Sequence, residues 1–396
     1  MKNNSSKLGV MFIGIYGSVA TTVIAGVNSA VRGICPLQGV LTEEAHLQPH
    51  RFLPIENFIF SGWDIRETNL LDAMIDNNVI PKSKLENMEE YFSSIHVWNG
   101  TVKGAGNQIR QMAKAGLDHN SLTLREITEI LIGNIHEFKN RNNLDKIIVV
   151  NTASVDRLPD IQIRSIGLTD FEKMLDTKTT KITPAILYAY AAIKSNCPYI
   201  NFTPDISAEI PALETLANDM GVPYTGKDGK TGQTLYKSYI ASMLKTRQLR
   251  VEGWYSTNLL GNRDGIVLED PEHKELKLTT KSDLIPSILG YDDFVHIVKI
   301  EYYPPRGDNK EAWDNIDFIG WMGEKMSMKI IWEGKDSILA APIIVDLLRL
   351  VEYAHRLSYS GSLSHLSMFF KAPYGDSPHD PLEQCVKLHN FFQKHE

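Results

Sequence analysis

Between Gly226 and Lys281 the chain reads GKDGKTGQT, then TNLLGNRDG, then HKELKLTTK, gathering ammonium groups, carboxylates and amides around turn-forming glycines. Lys227, Lys230, Lys277 and Lys281 are the cations, Asp228 and Asp264 the carboxylates beside glycine, and Asn258 and Asn262 the neutral donors. Glycine lets a backbone approach a ligand closely, so charged groups next to it stand where a ligand would arrive. A lysine can hold a phosphate as a point charge or, once desolvated, shed its proton and serve as a base. Lys277 and Lys281 are four residues apart and share a face if their segment is helical, a repulsion that an intervening anion would relieve. The competing reading is a solvated, charged loop and helix surface.

Composition narrows the partners. With 396 residues, the chain has length for two domains or one elaborated α/β domain, and 43% hydrophobic with 22% charged residues is ordinary globular material. A net charge of −7 provides no basic field for nucleic acid, so any anionic ligand must be held by a local lysine cluster. Cys35, Cys197 and Cys385 lie far apart without a CxxC pair, which favours reduced thiols in a cytoplasmic setting. Residues Lys2 to Val27 imitate a signal peptide, but Gly14, Gly17 and Gly26 interrupt the apolar run. Ile338 to Leu357 is broken by Pro342, Asp346, Arg349, Glu352 and His355 and is too polar for a membrane span. A soluble, untargeted protein is expected.

Positioning begins at the N-terminus. Leu8 to Ile13 is a short β-competent run that ends in Gly14-Ile-Tyr-Gly17-Ser-Val-Ala20, followed by a helix-competent stretch from Val19 to about Val31. Strand, glycine turn and helix form the setting of a dinucleotide-binding turn, with helix N–H groups facing a pyrophosphate. The pattern is GxxGxxA, with Tyr16 where the usual second glycine would stand. The acidic partner expected about 20 residues on is either Glu43 or Glu44 after Gly39-Val-Leu, or Asp64 after Phe58-Ile-Phe-Ser-Gly-Trp, and pattern does not choose.

Residues 66–145 read as helices with polar links, including Leu122–Phe138 at helical spacing. Lys146–Val150 is a continuous apolar run of the kind buried in a parallel sheet, with Asn151, Thr152 and Ala153 at its ligand-facing carboxyl end. Thr183-Pro184 opens a helix over Ala185–Ser195, Tyr199–Phe202 is another strand, and Pro211–Met220 is a helix stopped by Gly221. The alternation predicts a doubly wound, mostly parallel α/β sheet of Rossmann type.

A helix over Thr231–Arg247 would make Thr231, Gly232 and Gln233 an anion-ready N-terminus. Gly229-Lys230-Thr231 imitates a P-loop ending, but Tyr224 occupies the first glycine position and no apolar strand stands directly before it. From Arg250 to Ile331 the texture alternates as β, with strands at Val295–Tyr303 and Met326–Trp332 and a turn at Asp308-Asn309-Lys310. A long helix from Ser337 to about Arg356 returns to the first region, with Asp336 as its N-cap. Lys371, between Phe370 and Ala372, has the apolar flank of a partly buried stem. His46 and His50 are four apart, but Pro49 argues against a helix, so they are expected to be surface histidines and not metal ligands.

Taken together, GIYGSVATT, SGWDI, NTAS, LYAYAAIKSNCPYINFTP, GKDGKTGQT, NLLGNRDG, KLTTK, GDNK, DSILAAPIIVDLL and MFFKAP resemble the myo-inositol-1-phosphate synthase family along nearly the whole chain. The likeness is nearer to the shorter archaeal-type branch than to the longer eukaryotic one. It implies conversion of D-glucose 6-phosphate to 1L-myo-inositol 1-phosphate with NAD recycled in each turnover. The sugar is oxidised at C5, enolised, cyclised by intramolecular aldol addition and reduced again. Residue by residue, the resemblance implies catalytic roles for Lys277, Lys281, Lys310, Lys371 and Asp264, the first two in proton transfer and enolate stabilisation. Asn258, Asn262, Thr231, Gly232 and Gln233 would bind the sugar phosphate. Gly14, Tyr16, Gly17, Ser18 and Val19 would lie at the pyrophosphate, Asp64 would be the cofactor acid, and Thr152, Ala153, Asp228 and Asp336 would lie along the NAD. Without the family, Lys310 would read as a solvated loop lysine.

The family resemblance further implies an NAD-binding domain over 1–225 plus 336–396, a sheet-rich catalytic and oligomerisation domain over 226–335, and a cytoplasmic homotetramer. It leaves a divalent or monovalent cation as a potential assistant, with Asp228 or Asp264 reaching it through the substrate phosphate. Two rivals are a dehydrogenase or sugar-phosphate cyclase on the same scaffold, and a non-enzymatic NAD sensor. Net NADH formation would mark the dehydrogenase; loss of the lysine set would have marked the sensor, and the set is intact.

Overall fold

Leu8–Ile13 (β1) is buried at every residue and has a parallel partner on each side, as its unbroken apolar run requires. The computed structural model describes residues 6–113, 121–261, 284–307 and 309–395. In them, β1 is joined by β2 (Phe58–Asp64), β3 (Val97–Asn99), β4 (Lys146–Asn151), β5 (Tyr199–Asn201) and β6 (Pro223–Gly226). A second sheet holds β7 (Arg250–Leu260), β8 (Val295–Tyr302), β9 (Asn309–Ile319) and β10 (Lys325–Lys335), after which β11 (Gly361–Ser362) rejoins the first. The first sheet runs β11-β6-β5-β4-β1-β2-β3 and every pairing in it is parallel. The order reverses between β1 and β4, the topological switch point where such sheets bind ligands. The expected doubly wound Rossmann-type α/β sheet is what forms.

Alternation along β1 shows why both faces are covered. Val10 and Phe12 point into one core with Val23, Ile24, Leu347 and Leu348, from the helices Ser18–Val31 and Asp336–Arg356. Met11 and Ile13 point into the other, with Leu131, Leu187 and Leu213 from Leu124–Asn142, Pro184–Lys194 and Pro211–Met220. Leu124–Asn142 opens on a reciprocal capping box between Thr123 and Glu126. The returning helix therefore does pack back onto the first sheet, against the helix that follows the glycine turn.

The second sheet runs β10-β9-β7-β8, with only β7 and β8 parallel. Its inner face packs on the helices Gly232–Thr246 and Leu284–Leu289 through Trp254, Ala241, Leu244, Ile285 and Ile316.

Several expectations are corrected. Residues 309–310 are the start of strand β9, not part of a turn, and the strands expected on either side are separated by it. A short strand, β3, lies inside the region read as helical. Asp336 is the first residue of its helix and Lys335 the cap, because β10 runs straight into the helix. His46 is exposed as expected, but His50 is buried, hydrogen-bonded to the Tyr353 hydroxyl at 3.0 Å and packed on Phe392.

Candidate active site

A cavity of about 640 Å³ opens at the carboxyl ends of β1, β2, β4 and β5 and reaches the ends of β7 and β9. At one end is the glycine turn. Gly14 has φ +79 and lies so near β4's end that a Cβ would come 2.9 Å from the Ala153 Cα. The turn is held to β2 by Gly14 N–H and Ile15 N–H donating to the Trp63 carbonyl, at 2.9 and 3.2 Å. Gly17 caps the helix Ser18–Val31 without any side-chain hydrogen bond, so its leading N–H groups face the cavity uncapped by a side chain. Asp64, at the end of β2, accepts from Tyr16 N–H at 2.9 Å on one oxygen and from Ile65 and Arg66 N–H at 2.9 and 3.0 Å on the other. Of the acidic residues the pattern left open, Asp64 is the one that lines the cavity.

The opposite end carries lysines, and backbone pairing puts them there. Residues 227–230 and 369–372 run alongside each other: Lys371 N–H donates to the Asp228 carbonyl at 2.7 Å and Lys230 N–H to the Phe369 carbonyl at 2.8 Å. This sets Lys371 Nζ 2.7 Å from Asp228 Oδ1, both side chains about 15% exposed or less. Asp228 itself has φ +61, with its N–H bonded to the Thr203 carbonyl. Lys310, at the start of β9, reaches Asp336 Oδ2 at 2.7 Å. Its side chain is only 14% exposed, so it is not a solvated loop lysine. Two ammonium groups are thus held in the cavity by carboxylates, ready to stabilise an anion that develops there.

Among the sequence-expected residues, Gly14, Gly17, Ser18, Val19, Asp64, Thr152, Ala153, Asp228, Thr231, Lys310, Asp336 and Lys371 line this cavity. Tyr16, Gly232, Gln233 and Asn258 do not; all four are buried. Gly232 has φ +52, and a Cβ there would collide with the Asp336 carboxylate, so the helix start and Asp336 are fitted to each other. Lys277, Lys281, Asn262 and Asp264 lie outside the described residues.

An acidic pair that no motif in the sequence marks also stands here. Asp156 and Asp205 both line the cavity, and Asp205 Oδ1 accepts from Asp156 N–H at 3.0 Å. Burial first, then the Asp156 charge, pushes the Asp205 carboxyl up to about 7. Thr203-Pro-Asp205 stands just past β5, so its place beyond a strand's carboxyl end was the available signal. Lys230 is also buried, with Nζ 2.5 Å from Gln384 Oε1, and burial draws its ammonium down to about 8. It braces the C-terminal helix and does not line the cavity. No cluster of metal-ligating side chains occurs among the described residues.

Comparison with known proteins agrees with this architecture. A family model described as Myo-inositol-1-phosphate synthase, NAD-binding by its name, matches residues 8–393. Inositol-3-phosphate synthase 1 of Bacteroides thetaiotaomicron is 36% identical, over 96% of this chain and 92% of that protein. Inositol-3-phosphate synthase 1 of Populus euphratica is 30% identical, over 90% of this chain and 76% of that one. In fold, the inositol-3-phosphate synthase of Caenorhabditis elegans superposes with a TM-score of 0.90 at 23% identity, covering 98% of this chain and 86% of that one. A myo-inositol-1-phosphate synthase-related protein of Thermotoga maritima gives 0.80 at 23%, covering 98% of each. With the family model spanning nearly the whole chain and a relative this similar over almost its full length, the chain belongs to the myo-inositol-1-phosphate synthase family.

Proposed function

We propose that the chain converts D-glucose 6-phosphate to 1L-myo-inositol 1-phosphate, with NAD bound at the glycine turn and regenerated in each cycle. The observation that carries this reading is a single cavity lined at one end by Gly14, Gly17 and Asp64 and at the other by Lys310 and Lys371. The turn suits a dinucleotide. Its glycine admits no side chain between the strand ends, its helix start has no capping side chain, and its acid stands at the end of β2. Gly14, Gly17, Ser18 and Val19, with the Tyr16 backbone behind them, would hold the pyrophosphate. Asp64 would meet a ribose, and Thr152, Ala153, Asp228 and Asp336 would lie along the cofactor. NAD, when bound, supplies reversible hydride removal at C5 of the sugar.

The chain's own residues manage charge. An enolate and then an aldol alkoxide place negative charge on the sugar, and Lys310 and Lys371 stand where ammonium groups can stabilise it. Lys277 and Lys281 would move the C6 proton and stabilise the enolate, and Asp264 and Asn262 would fix the sugar. Thr231 and Gly232 head an uncapped helix suited to the substrate phosphate. In this reading 1–225 plus 336–396 form the NAD-binding domain and 226–335 the catalytic and assembly domain. The free state of Cys35, Cys197 and Cys385 supports a reducing, cytoplasmic setting.

The test is incubation of purified protein with glucose 6-phosphate and catalytic NAD, with and without EDTA. Inositol phosphate formed without net NADH is expected. Accumulating NADH with no cyclitol would make the protein a dehydrogenase instead. The EDTA arm reports whether a divalent cation assists, with Asp228 or Asp264 as the side chains that would approach it through the phosphate.

A further inference from the structure

Tyr16 stands where a dinucleotide-binding turn carries its second glycine, and its side chain has a neighbour that the proposed reaction does not use. The ring is folded inward, 7% exposed, and lies under the guanidinium of Arg66, with Cζ 5.7 Å from the ring centroid. Arg66 follows the cofactor acid by two residues, and its Nε is 3.4 Å from Asp64 Oδ1. Ring and carboxylate together fix the guanidinium at the cavity, which Arg66 lines with its side chain 20% exposed. Nη1 and Nη2 have no hydrogen-bond partner among the described residues, so a planar fork of donors is left for a ligand.

Asp64, by contrast, has little left to give a ribose. An ionised carboxylate offers about four acceptor positions, two on each oxygen. On Oδ1 the Ile65 and Arg66 N–H groups take both, with Arg66 Nε beside them. On Oδ2 the Tyr16 N–H takes one, so a single position stays open. A carboxylate that selects NAD accepts from the adenosine ribose, and its charge turns away a 2′-phosphate. Here one oxygen is closed by the chain's own N–H groups, and a cation 3.4 Å away offsets the charge. One ribose hydroxyl can be accepted, and the group at the other ribose position is left to Arg66. An arginine fork donates to a hydroxyl oxygen and, with charge assistance, more strongly to a phosphate.

We propose that Arg66 forms a 2′-phosphate site beside Asp64, so that the chain binds NADP as well as NAD. The inference rests on the reading of the glycine turn as a dinucleotide site. It adds a ligand class, the 2′-phosphorylated dinucleotides, which an acid alone at the end of β2 would reject. Since the proposed cycle returns its hydride to the sugar, either cofactor would leave the net reaction unchanged.

The test is calorimetric titration of wild type and Arg66→Ser with NAD and with NADP, alongside the thermal midpoint of each protein. Wild type should bind NADP within about tenfold of NAD. In Arg66→Ser, NADP affinity should fall at least about tenfold further than NAD affinity, as expected for loss of a charge-assisted fork. A merely structural Arg66 would weaken both cofactors alike and lower the thermal midpoint. A second measurement needs no variant to fold: raising the salt concentration should weaken NADP binding to wild type more than NAD binding, because the added contact is ionic. Wild type that binds NADP more than about tenfold more weakly than NAD would overturn the inference alone. So would a variant in which both cofactors weaken alike, or a salt dependence that is the same for both. Wild type that binds neither dinucleotide would overturn the reading of the turn and this inference with it.

Discussion

Asp205 carries a pH dependence whose sign follows from where it sits. Burial and the neighbouring Asp156 charge raise its carboxyl to about 7, against the partial relief given by Lys227. In the unfolded chain an aspartate titrates near about 4. Between those values the folded state holds a proton that the unfolded state has lost, so stability falls as pH rises from about 4 to about 7 and is then level. The size is on the order of 2–4 kcal/mol. Asp346, raised to about 6 by burial, slopes the same way, so the difference between proteins is what reports on Asp205. Urea unfolding at pH 4.5 and pH 8 should show wild type losing more stability on the alkaline step than Asp205→Asn does. Equal losses in the two proteins would assign the slope elsewhere. The lysines follow a different logic at this scale: Lys310 and Lys371 each already have a carboxylate at 2.7 Å, so the position of these two does not depend on a ligand's arrival.

Among the elements, the glycine turn and the strands around it were legible because their causes are local. β1 and β4 are unbroken apolar runs, and each ends in small or polar residues at a ligand-facing edge. Gly14→Ala tests that turn. At φ +79 an L side chain costs on the order of 1–2 kcal/mol, and its Cβ would also press on Ala153. The variant should lower the thermal midpoint by a few degrees and weaken NAD binding in a fluorescence titration by tenfold or more, as an order-of-magnitude expectation. Unchanged affinity would remove the turn from the cofactor site. What was illegible had non-local causes. β9 was missed because Asp314 stands at a core-facing position where alternation asks for an apolar residue; it is tolerated only because Trp254, Ser256, Gln233 and Tyr236 donate to it. Lys310 reads as a turn residue in sequence because Asn309 precedes it, while its strand is set by pairing with β10. His50 looked like a surface residue beside Pro49, yet Tyr353 and Phe392, some three hundred positions along the chain, enclose it.

For the whole molecule, among the described residues the second sheet has one face packed on helices and one that is not. Register puts Gly253 beside Val295, Tyr255 beside Ile297, Thr257 beside Trp313, and Trp313 beside Ile331 on the outer face. Val295 is 63% and Ile331 76% exposed, with Ile297, Trp313 and Tyr255 also exposed beside them. Contiguous apolar side chains across adjacent strands are the kind of surface that a monomer rarely leaves open. This supports the outer face as an interface between copies in the homotetramer that the family resemblance implies, a closed assembly in which one self-complementary patch joins a pair of copies and a second contact joins the pairs. Light scattering should give a mass about four times the chain's 44.6 kDa. Trp313→Glu with Ile331→Lys should lower that mass. These side chains point away from the cavity, so the fold of the first sheet should persist and NAD binding should survive in the smaller species. A wild-type mass of one chain would sink the tetramer; an undiminished mass in the double variant would move the interface to another face. If catalysis falls with the mass while NAD affinity holds, assembly supports the lysine end of the cavity, whose Lys310 begins the same strand that carries Trp313 outward.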